Sequence, residues 1–288
     1  MEINVKNQEY LNTQVFYTGF GDTHRFEIGE GIASLNAEKN SFSVAHSEKI
    51  NGIDTFTNLN FIRGKGDSNM VFFNSYDFTL MESGKEPLTQ NFRVQNWQAM
   101  EIKIDGETEV INGKPLEKKV NSTISKKEAF NAMQGRYPLK EFIKEQNQVK
   151  SYYKAHIKVD FNDKLTNGDF KIVKLPDFDF ESKIDSIPIK DLDKNDNKSV
   201  LIESLEKGNI QSVLLLVGGE EVKHFLALDA VAKTIAIYDS GMNRLGIHNG
   251  EEVKTDNKIT NEESKKNNKQ VDTTAKKTNK SRRKGKGI

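Results

Sequence analysis

The period of the apolar residues changes along this chain, and this change constrains the fold more than any other feature of the sequence. From residue 41 to residue 120, apolar residues alternate with polar ones, as in half-buried β-strands. Around residues 124–134 the spacing becomes helical, and the alternation returns at 152–161. This order of periods predicts an α+β fold of short helices and small antiparallel sheets.

The first 121 residues are dominated by strand signals. Alternating segments separated by Gly-, Asn- and Asp-rich loops predict an antiparallel meander over 41–47, 53–63, 70–81, 91–105 and 110–120. Asn112-Gly113 is typical of a tight hairpin. A helix is predicted over 22–36, with Asp22 or Thr23 as its N-cap. Phe72, Tyr76 and Phe78 alternate on one face, where we favour a core role over base stacking.

A helix followed by a small antiparallel sheet is predicted twice in the second half of the chain. Ser125 and Glu128 form a capping box, and Gly135 is positioned to end that helix. A second helix over 199–208 ends at Gly208, 73 residues further on. The strands expected after the two helices are 152–161 and 170–175, then 212–217, 222–229 and 234–239.

This weak internal repeat sets the predicted domains. We expect an N-terminal domain at 1–121, in which helix 22–36 and the strands after it are a divergent third copy. Tandem modules follow over residues 122–248, at about 122–190 and 196–248, and a disordered basic tail at 249–288.

Composition excludes several classes of protein. The absence of cysteine rules out a disulfide scaffold, a cysteine nucleophile, an iron–sulfur site and Cys-ligated zinc. The longest aliphatic run, 213–217, is far too short to span a membrane, and the first residues do not resemble a secretory signal. We therefore expect a soluble, cytoplasmic protein without membrane contact.

Charge separates the end of the chain from the rest. Residues 249–288 contain 12 of the 43 Lys and Arg residues but only 6 of the 42 Asp and Glu residues. Their net charge is +6, which leaves −5 for residues 1–248, since the whole chain carries +1. The segment has no aromatic residue, so it cannot bury enough apolar surface to offset the entropy of ordering.

The basic cluster in this tail is the strongest functional signal in the sequence. Flexible cations suit neutralisation of nucleic-acid phosphates, and the predicted binding residues are Lys276, Lys277, Lys280, Arg282, Arg283, Lys284 and Lys286. Such contacts carry no sequence specificity. A purely solubilising tail is an equally weighted alternative.

The residues that carry chemistry show no catalytic or metal-binding spacing. No two of the five histidines lie three or four residues apart, so we expect surface or rim positions, with His156 and His224 on the polar faces of strands. Asp191, Asp193 and Asn195 match the first positions of a calcium loop, but the later glycine and glutamate are missing. We therefore expect no enzyme, no metal and no cofactor.

The Gly-rich turn at residues 19–22 is a weaker candidate. Gly19-Phe20-Gly21-Asp22 lacks the third glycine of a dinucleotide-binding fingerprint and any Gly-Lys-Ser/Thr sequence. A turn before a helix is therefore preferred to a phosphate loop.

Several segments together resemble an uncharacterised Bacteroidota family, known only as a domain of unknown function. The residues that carry the likeness are 130–136, 153–161, 168–170, 201–209, 211–213, 223–225, 233–235 and 238–239. The likeness covers roughly 10–80 and 124–245, and it departs from the family at 230–232, where relatives have a more polar turn.

Members of that family are carried by conjugative transposons and other mobile genetic elements, and they tend to end in a basic cluster. The resemblance supplies no catalytic residues. It implies a non-enzymatic accessory protein that binds nucleic acid (DNA or RNA) through the tail, or binds a host or mobile-element protein. The alternative is a counter-defence protein that binds a host protein or sequesters a small signalling molecule. A cavity lined by Arg, Lys and aromatic residues would favour that last function.

Overall fold

The structure is a computed structural model that describes residues 5–65, 70–95, 98–101, 103–104, 107–112, 114–146, 149–194, 196–248 and 251–254. The predicted α+β class is confirmed, and the described strands pair in antiparallel order. The helices are α1 (Val5–Val15), α2 (Arg25–Ala33), α3 (Lys126–Met133), α4 (Glu181–Asp185) and α5 (Asn197–Glu206), with a π-helical turn at Phe16–Phe20.

The strands form three larger sheets and several short hairpins. The first sheet contains β1 (Ser41–Ile50), β2 (Ile53–Arg63), β3 (Val71–Met81) and β4 (Leu88–Arg93). The short strands are β5 (Gln98–Glu101), β6 (Lys103–Ile104), β7 (Glu107–Thr108), β8 (Val110–Ile111), β9 (Lys114–Pro115) and β10 (Glu117–Val120). The second sheet contains β11 (Leu139–Gln146), β12 (Val149–Lys164) and β13 (Phe170–Pro176). The third contains β14 (Gln211–Val217), β15 (Glu220–Asp229), β16 (Thr234–Tyr238), β17 (Arg244–His248) and β18 (Glu251–Lys254).

The first sheet buries one face beneath helices. Its strands follow chain order, and β2 alternates buried Leu59 and Phe61 with half-buried Asn58 and Asn60, as predicted. α1, α2 and α3 all contact the buried face. We call this covered side the inner face and the opposite side the outer face.

One part of the predicted strand pattern is wrong. Tyr76 and Phe78 are fully buried, which confirms the core role, but Phe72 is half-buried on the outer face. The register between β2 and β3 shifts between Asn60 and Phe61, and this bulge reverses the alternation of side chains.

The second sheet shares a core with the first. Ser125 caps α3 and Glu128 returns the bond to the Ser125 backbone, so the predicted capping box is confirmed. A single cluster of buried apolar residues runs from α1 through the first sheet to α3 and β12. The buried Tyr76 hydroxyl donates to the Ile124 carbonyl over 2.6 Å. The domain boundary between 121 and 122 stays a prediction, while this core continues across it.

The third sheet packs around a separate and smaller core. Leu205 of α5, Ile184 of α4, and Leu215 and Leu226 of the sheet are fully buried in it. The helix-plus-meander order of α3 and β11–β13 therefore recurs in α5 and β14–β16. The prediction that residues from 249 onward lack structure is wrong at 251–254, because β18 pairs with β17 through its backbone. The rest of the tail lies outside the described residues.

Several elements were missing from the sequence prediction, among them α1, α4, β11 and β17. Few apolar residues mark α1, yet Asn7 fixes it to the sheet by two hydrogen bonds with the Val71 backbone, at 2.7 and 2.9 Å. Residues 177–180 lead into α4. None of the helices in the described part of the chain is long and apolar enough to cross a bilayer.

Candidate functional site

A cleft lies where edge strand β4 meets the second sheet. The Asn91 backbone N–H donates to Asp169 Oδ1 over 3.0 Å, and the Phe170 N–H donates to Gln90 Oε1 over 2.8 Å. These bonds and the shared core hold the two walls together. The space between them has a volume of about 470 Å³, within the range of small-molecule sites.

The floor of the cleft is apolar and partly aromatic. Phe92, Ile157 and Phe170 contribute from the two sheets, and each is almost fully buried. The Phe142 ring lies beside them and is 9% exposed. Because these residues belong to the common core, the floor is fixed by the fold itself.

Three cations surround this floor. Lys174 Nζ lies 3.5 Å from the centre of the Phe142 ring and donates to the Tyr153 hydroxyl over 3.3 Å. Lys171 forms an ion pair with Asp163 at 2.9 Å, and this hydrogen bond raises the pKa of Lys171, so it stays protonated. Arg93 is exposed at the end of β4.

Asp169 is the one carboxylate that lines the cleft, and both of its oxygens are engaged. Oδ1 accepts from the Asn91 backbone and Oδ2 accepts from Asn167 Nδ2 over 2.6 Å. Asp163 already pairs with Lys171, so the three cations stand against two carboxylates, and the local charge is +1 within an acidic body. An anion is therefore the ligand that this cleft attracts.

Side chains occupy some backbone groups on the free edge of β4 and just beyond its end. The Asn91 carbonyl accepts from Gln90 Nε2 over 3.0 Å. Thr123 Oγ1 both accepts from the Gln95 N–H and donates to the Gln95 carbonyl. At Asn91 and Gln95, side chains therefore occupy backbone groups that strand addition would otherwise use.

The histidine prediction is wrong, since three of these side chains are buried and His46 is half-buried. His156 and His224 are 0% and 1% exposed, and His24 is 8% exposed. β12 is covered on both faces at His156, because residues 178–180 pack over this side chain with the Phe178 ring centre 5.4 Å away. Alternation of polar and apolar residues indicates a solvent-exposed polar face only where no other element packs on that face of the strand.

His24 and His46 form the most notable polar cluster away from the cleft. His24 Nε2 lies 2.9 Å from His46 Nδ1, and His46 Nε2 lies 3.3 Å from Glu48 Oε1. Lys126 pairs with the same Glu48 oxygen at 2.6 Å. Burial lowers the pKa of His46, against the opposing effect of Glu48. The cluster ties α2 and α3 to β1.

The other candidates from the sequence have structural roles. Gly19 lies in the π-helical turn and Gly21 has a φ of 75°, so the predicted turn before α2 is confirmed. The proposed caps Asp22 and Thr23 are wrong, because His24 occupies the cap position without a side-chain bond.

The calcium-loop candidates also have a structural explanation. Asp191 pairs with Lys194 at 2.6 Å, and Asn195 lies outside the described residues. No group of three or more His, Asp or Glu side chains in the described segments is arranged to hold a metal.

The seven tail cations predicted to bind nucleic acid also lie outside the described residues. The cleft was missed because its lining comes from separated segments near 90–95, 122–124, 142, 157 and 165–174. No spacing in the sequence brings these together.

Comparison with known proteins adds no assignment. The chain matches no protein-family model, no curated protein and no solved structure at a significant level.

Proposed function

We propose that the protein is a non-enzymatic binding protein whose cleft holds a nucleotide unit, an aromatic base with its phosphate. The observation that carries this proposal is the meeting of Arg93, Lys171 and Lys174 with an aromatic floor. Lys and Arg bind phosphate through charge-assisted hydrogen bonds. Arg side chains stack on bases of any sequence, and an apolar floor shields a bound base from water.

Polar atoms at the mouth of the cleft support a base rather than a simple phosphate ion. Asn91 Oδ1 is an acceptor and Gln95 Nε2 is a donor, and neither has a hydrogen-bond partner among the described residues. These atoms match the donor and acceptor pattern of a base edge.

The resemblance and the basic tail support a biological setting. In a mobile element the protein would act as an accessory factor on nucleic acid, with the cations at 276–286 adding nonspecific affinity. The same cleft favours a second candidate, a counter-defence protein that sequesters a small signalling nucleotide. Both functions use one chemistry, a base with a phosphate, from two different sources.

A titration of the full-length chain tests the cleft. The probes are a labelled mononucleotide, a labelled single-stranded oligonucleotide and inorganic phosphate, followed by fluorescence polarisation or calorimetry. We expect Lys174→Gln to weaken binding of both nucleotide probes by about 10-fold, since a hydrogen bond to a charged group contributes ~1.5–3 kcal/mol.

Lys223→Gln is the matched control. Lys223 is also exposed on a strand and also lies over an aromatic ring, 5.4 Å from the centre of Phe225, but in the third sheet. Its replacement leaves binding unchanged if the cleft is the site. Absence of nucleotide binding, or equal affinity of wild type and Lys174→Gln, would refute the proposal.

The tail is tested in the same full-length chain. Replacing its seven clustered Lys and Arg residues with Gln should lower the salt dependence of oligonucleotide binding, by about 0.7 in log–log slope per lost phosphate contact. An unchanged slope would show that the tail makes no contact with the nucleic acid.

A further inference from the structure

The outer face of the first sheet differs from an ordinary solvent-facing sheet. Its central positions are exposed or half-buried, and apart from Phe56 they carry short side chains in place of the usual Lys and Glu. The residues at these positions are Ser43, Ala45, Ser47, Phe56, Asn58, Asn60, Asp77, Thr79, Thr89 and Asn91. The result is a flat and mainly uncharged surface.

Hydrogen bonds fix the polar groups of this face in a chain across all four strands. Ser43 Oγ lies 2.7 Å from Asn60 Oδ1, and Asn60 Nδ2 donates to Asp77 Oδ2 over 2.8 Å. Asn91 Nδ2 donates to Asp77 Oδ1 over 2.7 Å. The amides therefore have set orientations before any partner binds, which lowers the entropy cost of binding.

The face is continuous with the cleft. Asn91 and Arg93 line the cleft, and they also end two cross-strand rows of the outer face, opposite Asp77 and Ser75. A ligand that is held in the cleft at β4 therefore has an open path across β3, β2 and β1.

We infer that the ligand is a single-stranded nucleic acid that continues from the cleft over this outer face. The inference rests on the proposed function and extends its ligand from one nucleotide unit to a single-stranded polymer. Fixed amide and carboxylate groups bind base edges, which are available only in single strands. Asn58 makes no side-chain hydrogen bond among the described residues, so both of its amide groups are open to a base.

The charge distribution agrees with phosphate binding in the cleft and base binding on the outer face. The cations stand in the cleft, where a phosphate enters, while the single carboxylate of the central rows, Asp77, is held by two amides. Half-buried Phe56 and Phe72 flank the rows and present rings on which bases stack.

A length series tests the inference. It uses a full-length chain whose seven clustered tail cations, 276–286, are replaced by Gln, so that the tail adds no length-dependent affinity. Mono-, tri- and nonanucleotides of one sequence are titrated. We expect the nonanucleotide to bind at least about 10-fold more tightly than the mononucleotide, since each stacked base contributes ~1–3 kcal/mol.

Ser43→Glu separates the face from the cleft. Ser43 is exposed on β1, at the far side of the sheet from the cleft, and a carboxylate there repels the phosphates of a strand crossing the face. It should weaken nonanucleotide binding by about 10-fold and leave mononucleotide binding unchanged. Ser212→Glu, an equally exposed strand position in the third sheet, is the matched control and should change neither.

The two proposals fail in different ways. If mononucleotide and nonanucleotide bind equally and only through Lys174, the polymer inference is wrong and the nucleotide cleft stands. If Ser43→Glu and Ser212→Glu weaken the nonanucleotide equally, the outer face is not the path of the strand. If no probe binds, the proposed function itself is refuted.

Discussion

The two helix-plus-meander units of the second half have the same element order but different connections. Each helix ends at a glycine in the left-handed region, Gly135 at a φ of 77° and Gly208 at 75°. A methyl group on Gly135 would meet no atom within 4 Å, whereas on Gly208 it would lie 3.2 Å from Asn131 Cβ, Pro138 Cγ and Pro138 N. Gly135 is needed only for the turn after its helix. Gly208 also allows close packing of the second unit against the first, and we call this contact the joint.

Hydrogen bonds explain why Gly208 lies so close to Asn131 at the joint between the two units. The buried Asn131 of α3 donates through Nδ2 to the Lys207 carbonyl over 2.6 Å and to Asn209 Oδ1 over 2.9 Å. One side chain thus satisfies the end of the other unit's helix. A repeated local motif can thus acquire a second role from the element that packs against it.

The largest difference in stability between the two units is expected when their helix-ending glycines, Gly135 and Gly208, are replaced by alanine. Gly135→Ala should cost about 1 kcal/mol of unfolding free energy, from the positive φ alone. Gly208→Ala should cost about 3 kcal/mol, because the new methyl group also meets the Pro138 backbone. Urea denaturation of both variants measures the difference, and equal losses would show that the joint yields without cost.

The helix N-termini give a smaller contrast. Ser125 accepts from the Glu128 N–H, so Ser125→Ala should destabilise the protein by about 1 kcal/mol. Asp196 occupies the same position before α5 but makes no side-chain capping bond. Asp196→Ala should therefore cost only a few tenths of a kcal/mol, about the size of a charge–dipole effect. Thermal unfolding of the two variants checks the ranking, and a larger loss for Asp196→Ala would reverse it.

Lowering the pH should give the smallest loss of stability. It acts through His156, which lies at the contact between the first unit and the second core. Burial lowers the pKa of His156 below 6.5, against opposing effects of the Tyr137 carbonyl, Asp177 and Glu206. The unfolded chain therefore binds the proton more readily, and stability falls as pH drops below about 6.5. Urea midpoints measured against pH test this.

His156→Gln is the control for the acid effect. It should flatten the pH dependence in that window but leave the contribution of His46, whose pKa is also lowered by burial. A pH profile that is identical to that of the wild type would exclude His156 as a source.

Sequence alone gave much of the fold where one side of an element meets solvent. The alternation in β2 and the capping box at Ser125 and Glu128 were both confirmed, since local chemistry decides them. Buried histidines on β12 and β15 were mispredicted, because tertiary packing covers their second face. α1 was missed because its attachment depends on Asn7 and a strand 64 residues away.

The candidate site was beyond sequence reasoning for a related reason. The cleft forms only when Asn91 and Asp169 meet, 78 residues apart in the chain. Three cations spread over 93–174 form no cluster in the sequence, in contrast to the cations of the tail. The tail cations are neighbours in the sequence and are therefore easy to recognise there. The cleft cations become neighbours only when the chain folds.

The two hydrogen bonds between backbone N–H groups and side-chain oxygens that join β4 to Asp169 and Phe170 have a kinetic consequence. Together with the common core, they fix the width of the cleft, so a ligand enters without waiting for a domain to close. Association should then follow a single second-order phase whose rate rises with ligand concentration without saturating. Since the entrance is cationic, added salt should slow arrival more than it speeds departure.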